Sequence, residues 1–280
     1  MLNFNRALFL FIAVMAGLIF ADWYYAIHWS IYALVNVIFV SFLGYNSVRI
    51  DSQFYVPTIC DADAEGKKVV LTFDDGPDPE ITPQVLNILK AYQVKGTFFC
   101  IGKKIPSNEK LLRRIHEEGH LIGNHSFSHS YILDFFPFWM VRKEIRQTNQ
   151  WIARVTGQWP RFFRPPYGIT NPAIARALKG RDFDVIGWNI RSFDTVTRED
   201  NKVIDRVVSQ LRSGGIILFH DTSPALPDIL RELLDYLKEH NYEVVSLDEG
   251  IAKSAYKQPE KGTHLLESYQ KKNLGQAANL

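Results

Sequence analysis

The residues Thr72-Phe73-Asp74-Asp75-Gly76-Pro77 place two adjacent carboxylates at the end of an apolar run, Val69-Val70-Leu71. Neighbouring strand residues point to opposite faces, so at a strand end the two carboxylates can take different tasks. One can hold a metal ion while the other handles a proton. Alone, the segment reads equally well as an acidic turn, because Asp-Gly and Gly-Pro are ordinary turn punctuation. A second cluster, His125-Ser126-Phe127-Ser128-His129, sets two imidazoles four residues apart. From one helical turn or a tight loop both can reach the same ion. Together with one carboxylate they form a face with open positions for water and substrate, a set that suits Zn(II), Fe(II) or Co(II).

Two further clusters carry polar groups that a purely structural segment does not need. In Phe162-Phe163-Arg164-Pro165-Pro166-Tyr167-Gly168, a rigid turn follows an arginine that can clamp a carboxylate bidentately. Its plain alternative is a surface ion pair. The apolar run Ile216-Ile217-Leu218-Phe219 ends in His220-Asp221, and histidine is the side chain best suited to give a proton near neutral pH. The alternative for His220 is a capped strand end. His116-Glu117-Glu118-Gly119-His120 matches the H-E-x-x-H pattern of zinc proteases. That chemistry needs one continuous helix, whereas Gly119 stands where a helix ends. Arg113, Arg114 and His116 then fall in the last turn, where cations favour the helix dipole.

Taken in order, T-F-D-D-G-P, H-S-x-S-H, R-P-P-Y-G and L-F-H-D resemble the motifs of the polysaccharide deacetylases, carbohydrate esterase family four with its NodB-homology domain. The resemblance spans residues 66 to 250. It implies an α/β fold, a distorted (β/α) barrel, and a metal-dependent hydrolase that removes N-acetyl groups from the amino sugars of a glycan. By position it makes Asp74 the catalytic base and Asp75, His125 and His129 the metal ligands. Arg164 would orient the base, the Tyr167 N–H would donate to an oxyanion, and His220 would be the catalytic acid, tuned by Asp194. Leu218 would line the pocket for the acetyl methyl group, with Pro165 and Pro166 in the same pocket. One divalent metal is implied, Zn(II) first, with Co(II) or Fe(II) as alternatives. The implied partner is a carbohydrate bearing N-acetyl groups: peptidoglycan, an exopolysaccharide or a lipid-linked sugar.

The same apparatus could instead hydrolyse an O-acetyl ester or another amide. A reading from a different class, an inactive glycan-binding protein, expects a broken catalytic set, yet every residue of the set is present. The chain departs from the family pattern at Arg191, where many members have Asp, and at Thr195, where many have Trp. A pocket wall without that Trp should be less apolar or more open. Arg191 would either meet an anionic group on the substrate or pair with Asp182, Asp184 or Asp194, and the pairing is favoured.

The elements that must position these residues read as alternating strands and helices, the pattern of a parallel α/β fold. Helices are expected over Pro83 to Tyr92, Pro106 to Glu118, Phe138 to Val155, Asn201 to Arg212 and Leu226 to His240. Strands are expected at Lys95 to Ile101, Leu121 to Gly123, Asp184 to Trp188, Ile216 to Phe219 and Glu243 to Ser246.

The first fifty residues differ in kind. Ala7 to Ala21 and Ile27 to Leu43 are apolar, and the spacer Asp22-Trp23-Tyr24-Tyr25 suits a membrane–water boundary. Each run falls short of the ~20 residues of a span, but flanking aromatics extend both. The expected organisation is a membrane anchor of two helices over 1–50, a catalytic domain over 51–252 and a polar, flexible tail over 253–280. A cleaved signal peptide followed by a surface segment is the rival. A second apolar run and no clear small-residue cleavage site count against it. Arg6 and Arg49 flank the pair while the spacer has no Lys or Arg, which by charge puts the domain in the cytoplasm. Family members acting on wall glycan work outside, so the membrane side stays open. A net charge of +2 gives no nucleic-acid signal, and no protein partner is expected. Cys60 and Cys100 could form a disulfide or remain free thiols.

Overall fold

Residues Val69 to Asp74 are buried at every position, the pattern of a strand covered on both faces in a parallel sheet. In a computed structural model of the chain, which describes residues 2–63, 65–196 and 200–259, this strand is the centre of the sheet. The chain opens with two helices, α1 (Phe4–Tyr25) and α2 (Trp29–Ser47). Strands β1 (Thr58–Ile59) and β2 (Lys68–Asp74), helix α3 (Ile81–Ala91), strand β3 (Thr97–Cys100), helix α4 (Glu109–Glu117) and strand β4 (Leu121–Asn124) follow. The middle of the chain forms α5 (Phe138–Thr156), β5 (Trp159–Pro160), β6 (Phe162–Phe163), α6 (Pro172–Leu178), β7 (Asp184–Ile186) and β8 (Ile190–Arg191). It ends in α7 (Asp200–Ser209), β9 (Gly215–His220), α8 (Leu226–Glu239), β10 (Glu243–Val244), α9 (Leu247–Gly250) and β11 (Tyr256–Lys257).

The main sheet runs β1-β7-β6-β4-β3-β2-β9-β8, every neighbouring pair parallel. β10 lies beside the first residues of β2, and β3 beside its last. Among the described residues the path does not close on itself, which makes the expected distorted barrel an open, half-barrel form. Helices cover its outer surface. In α3, Val85, Leu86, Ile88 and Leu89 are buried, and in α8 Leu226, Ile229, Leu230, Leu233, Leu234 and Leu237 recur at helical spacing on the inner face. Each such side chain contributes about 1.5–3 kcal/mol by leaving water, so Leu230→Ala would cost about 2–5 kcal/mol.

Most of the expected elements are present with ends shifted by a few residues. Strands β6 and β8 were not expected, because two residues carry no readable alternation. Helix α6 was missed as well. Asn171 caps it, its side chain accepting from the Ile174 N–H at 2.9 Å, and Pro172 opens it, a start signal hidden beside a proline-rich turn. Order also extends past residue 252. Ala255 is buried and β11 pairs antiparallel with β5, so the chain leaves the domain later than expected. Residues 260–280, with Lys261, Lys271 and Lys272, lie outside the described residues. Both cysteines are free and buried, and burial pushes the Cys60 thiol up to about 11.

Helices α1 and α2 are long and apolar enough to cross a membrane by length and composition, with almost none of their residues fully buried in the protein. At 22 and 19 residues they span roughly 33 and 28 Å at the rise of an α-helix. They form a hairpin whose two feet both rest on the domain. The Phe4 N–H donates to the Phe54 carbonyl at 3.1 Å, and the Tyr55 hydroxyl donates to the Leu43 carbonyl at 3.0 Å. Phe54 seals the joint, edge-on to both Phe4 and Phe42.

Candidate active site and metal centre

Every strand that carries a motif delivers it at its carboxyl end, the side on which parallel α/β barrels gather their functional groups. The two carboxylates after β2 diverge as a strand end requires. Asp74 turns inward and is 3% exposed. Asp75 has φ 75°, a left-handed conformation that turns its side chain toward the histidines. Asp75 Oδ1 lies 3.2 Å from His129 Nε2 and 3.5 Å from His125 Nε2. Ligand atoms of all three residues lie within 4.8 Å of one another. Asp75 Oδ1 is buried and accepts no hydrogen bond. A buried, orphaned carboxylate oxygen facing two imidazole nitrogens fits a divalent cation, which would supply the missing partner.

The ring orientations are fixed from behind. His125 Nδ1 lies 2.9 Å from the Arg164 carbonyl, and a carbonyl only accepts, so Nδ1–H donates and Nε2 keeps its lone pair for the metal. His129 Nδ1 lies 3.2 Å from the Tyr167 hydroxyl. Burial pulls the His129 pKa down to about 4, the neighbouring His125 adding to the effect, so the ring is neutral near pH 7. The loop between the histidines is held by Glu144 of α5. Its Oε2 accepts from the Phe127 N–H, the Ser128 N–H and the Ser128 hydroxyl at 3.1, 2.6 and 2.8 Å. Asn124 accepts from the Ser126 N–H at 2.9 Å and donates to the Ile145 carbonyl and Asn149 side chain.

Arg164 is fully buried, which removes the surface ion-pair alternative. Its Nη1–H donors reach Asp74 Oδ1 at 2.7 Å and Thr72 Oγ1 at 2.9 Å. Nε and Nη2 donate to the Ile186 and Gly187 carbonyls at 3.1 and 2.8 Å. The bidentate clamp expected from the sequence is therefore corrected to a single-nitrogen contact, because two backbone carbonyls of β7 and its end take the other donors. The guanidinium also lies 4.2 Å from the Phe99 ring centroid. Burial lowers its pKa, against the opposing pull of Asp74.

At the end of β9, Asp194 fixes His220. Asp194 Oδ1 lies 2.9 Å from His220 Nδ1, Oδ2 accepts the His220 backbone N–H at 2.9 Å, and the Ser192 hydroxyl donates to Oδ1 at 2.8 Å. A carboxylate accepts, so His220 Nδ1–H donates and Nε2 is left as the working nitrogen. Burial works to lower the His220 pKa, but the hydrogen bond and charge of Asp194, helped by Asp74 and Asp75, outweigh it, and the net shift is upward. Leu218 is buried on the same face of β9, two residues before His220. Pro165 and Pro166 are buried and lead into a single turn, Pro166–Gly168. Within it, Tyr167 has φ 58°. Gly168 has φ 69° and packs so tightly on Trp188 that a Cβ there would lie 2.4 Å from the indole.

Arg191 does not make the pairing favoured from sequence. Arg161 takes Asp182 and Asp184 at 3.2 and 2.7 Å, and Asp194 is committed to His220. Arg191 instead lies exposed over the Trp188 and Phe193 rings. The H-E-x-x-H match is inert: α4 stops at Glu117, and Gly119 has φ 79°. His120 is buried, where its Nδ1 accepts from the Gly96 N–H at 3.1 Å.

Four supporting residues escaped the sequence reading. Glu144 and Asn124 brace the histidine loop and Thr72 braces Arg164. Fully buried Asp221 accepts from the Thr82 hydroxyl at 2.6 Å and is pushed up to about 7 by burial. Asn124 and Asp221 each adjoin a motif histidine, a signal that could have found them. Glu144 sits on a helix with nothing in its neighbours to mark it.

The polysaccharide deacetylase family model matches residues 61–186. The peptidoglycan-N-acetylglucosamine deacetylase PgdA of Listeria monocytogenes is 34% identical over 204 residues, 73% of this chain and 43% of that protein. The chain thus spans under half the length of that relative. A crystal structure of the Bc1960 peptidoglycan N-acetylglucosamine deacetylase superposes with a TM-score of 0.68 at 30% identity, covering 71% of this chain and 95% of that one. A family 4 acetyl xylan esterase from Clostridium thermocellum, solved with a cobalt ion, gives 0.61 at 36% identity, covering 66% and 91%.

Proposed function

The chain belongs to the polysaccharide deacetylase family, and on that premise we propose that it is a membrane-anchored, metal-dependent hydrolase that removes N-acetyl groups from the amino sugars of a glycan. The observation that carries this reading is the Asp75–His125–His129 cluster beside the Arg164–Asp74 pair, with His220, held by Asp194, the strand partner of Asp74. Zn(II) is the metal we propose, with Co(II), present in the xylan esterase relative, or Fe(II) as substitutes. Bound there, a divalent cation supplies Lewis acidity, lowering the pKa of a water towards about 7 and polarising the acetyl carbonyl.

The residues supply the remainder. Asp74, aimed by Arg164 Nη1, accepts the proton of the attacking water. The Tyr167 N–H, on its left-handed turn, donates to the oxyanion that forms at the carbonyl oxygen. His220 Nε2–H gives a proton to the departing amine, and Asp194 stabilises the imidazolium before that transfer. Leu218, with Pro165 and Pro166, forms the apolar seat for the acetyl methyl group. Exposed Thr195, standing where the family pattern has Trp, leaves the wall beside the acid open.

The xylan esterase relative favours a second reading, removal of O-acetyl groups by the same residues. An assay of acetate release by the full chain loaded with Zn(II) or Co(II) tests both. N-acetylglucosamine oligomers should yield acetate faster than O-acetylated xylan. The reverse order would favour the esterase. Release from neither, with one metal bound per chain, would contradict both.

A further inference from the structure

From Val48 onward, eight large apolar side chains are exposed among the described residues. Five of them, Tyr131, Ile132, Phe135, Trp139 and Met140, fall within residues 131–140, directly after the ligand His129. Phe135 is 86% exposed, Tyr131 85% and Trp139 61%. So many large rings left in water on one short segment mark an interaction surface. The chemistry is that of a membrane–water boundary, where Trp and Tyr concentrate. Arg142 and Arg176 both lie over the Phe138 ring at the start of α5. They place cations beside the aromatic face, where anionic headgroups attract them.

This segment is tied to the foot of the apolar hairpin. Ser47, the last residue of α2, donates from its hydroxyl to the Thr170 carbonyl at 2.7 Å, and its backbone carbonyl accepts from the Thr170 N–H at 3.0 Å. The next residue, Asn171, donates from its side chain to the Asp134 carbonyl at 3.0 Å. Asp134 stands between buried Leu133, which packs in one cluster with Val56, and exposed Phe135. The segment also reaches the metal cluster. Tyr131 stacks on Tyr167 with ring centroids 5.8 Å apart, and the Tyr167 hydroxyl lies 3.2 Å from His129 Nδ1.

We propose that residues 131–140 are a second membrane-contact surface, which seats the mouth of the metal site at the bilayer interface and makes an N-acetylated sugar carried on a lipid the substrate class. This rests on the reading of α1 and α2 as spans and of the chain as a deacetylase. The occupant is the same bilayer that holds the hairpin, because the surface continues from the hairpin's foot through two hydrogen-bonded steps.

The test uses the full chain in nanodiscs of phosphatidylethanolamine and phosphatidylglycerol, with a nitroxide at Phe135→Cys. Parallel labels at Val37→Cys in α2 and Lys238→Cys on α8 give the lipid and water references. The Val37 and Phe135 labels should be accessible to oxygen and shielded from a water-soluble nickel chelate, with Lys238 the reverse. A Phe135 label that behaves like Lys238 while Val37 stays shielded would overturn the surface and leave the spans standing. A Phe135 label shielded from both colliders would mean a protein covers the face, which also overturns it. A Val37 label open to the chelate would remove the spans and the surface together.

The substrate class has its own arm in the same nanodiscs. Phe135→Ser/Trp139→Ser should release acetate from an embedded dialkyl N-acetylglucosaminide about tenfold more slowly than the unaltered chain, a loss of about 1.4 kcal/mol. Release from soluble chitotetraose should be unchanged. An equal loss on both, or none on either, would overturn the lipid-carried substrate. Acetate from neither substrate with the unaltered chain would instead sink the deacetylase reading, while the spin-label result would still decide the surface.

Discussion

Asp74 and His220 are direct partners across two adjacent parallel strands, β2 and β9, and both stand at the carboxyl ends. They are separated by most of the domain in sequence, yet the register of one strand pair sets their spacing. The Asp221 N–H closes the same edge by donating to the Asp74 carbonyl at 3.2 Å. The two residues proposed as proton acceptor and proton donor are therefore positioned by the central strand pair of the sheet.

The Asp194–His220 pair predicts a specific pH response. Asp194 outweighs burial and raises the His220 pKa above its ordinary 6.5, so the proposed acid stays protonated further into the alkaline range. In Asp194→Asn the alkaline limb of kcat/KM should move to lower pH, which a pH–rate profile on both chains reads directly. The stability linkage has the matching sign. The pair stabilises the fold fully below pH 6.5, and this contribution is lost as pH rises through the raised value.

Arg164 should matter for folding as well as for rate. It is fully buried and makes four donor contacts. Arg164→Leu leaves the Asp74 carboxylate buried without its cation, which costs about 3–5 kcal/mol. Urea unfolding monitored by tryptophan fluorescence should show a lower midpoint. An unchanged midpoint would mean that Asp74 finds water in place of the guanidinium.

Gly168 gives a steric test of the turn that carries Tyr167. With φ 69° and the Trp188 indole against it, Gly168→Ala must shift the turn or the ring, at a cost of about 1–3 kcal/mol. The Tyr167 N–H moves with the turn, so kcat should fall while one metal still binds. Full kcat in this variant would detach Tyr167 from catalysis.

What the sequence made legible follows from what each group needs. The metal cluster could be read because its chemistry demands fixed residue types at short spacing, as in His125 and His129. Arg164 could be read as a partner for a carboxylate, but its four-way bonding could not, since Ile186 and Gly187 contribute only carbonyls that no residue type announces. Arg191 was misjudged because the competition for Asp182 and Asp184 is decided by Arg161, which the sheet brings alongside through the β6–β7 pairing. Glu144 stayed hidden because a helix turned it to face a loop that ends fifteen residues earlier. The two-residue strands β6 and β8 carry too few side chains for any periodicity and exist through their neighbours.

Removing one ligand should empty the metal site without unfolding the chain. His125→Ala loses one of three first contacts, and elemental analysis after dialysis should find the metal stoichiometry falling from one per chain to near zero. Retention of one metal per chain would place the ion elsewhere.

The most direct test of the catalytic account compares the unaltered chain with Asp74→Asn, each loaded with Zn(II), for acetate release from N-acetylglucosamine oligomers. The account predicts one bound metal in both and a rate about 10²–10⁴-fold lower in Asp74→Asn, the scale of a lost general base. Equal rates in the two proteins, with metal bound in both, would contradict it.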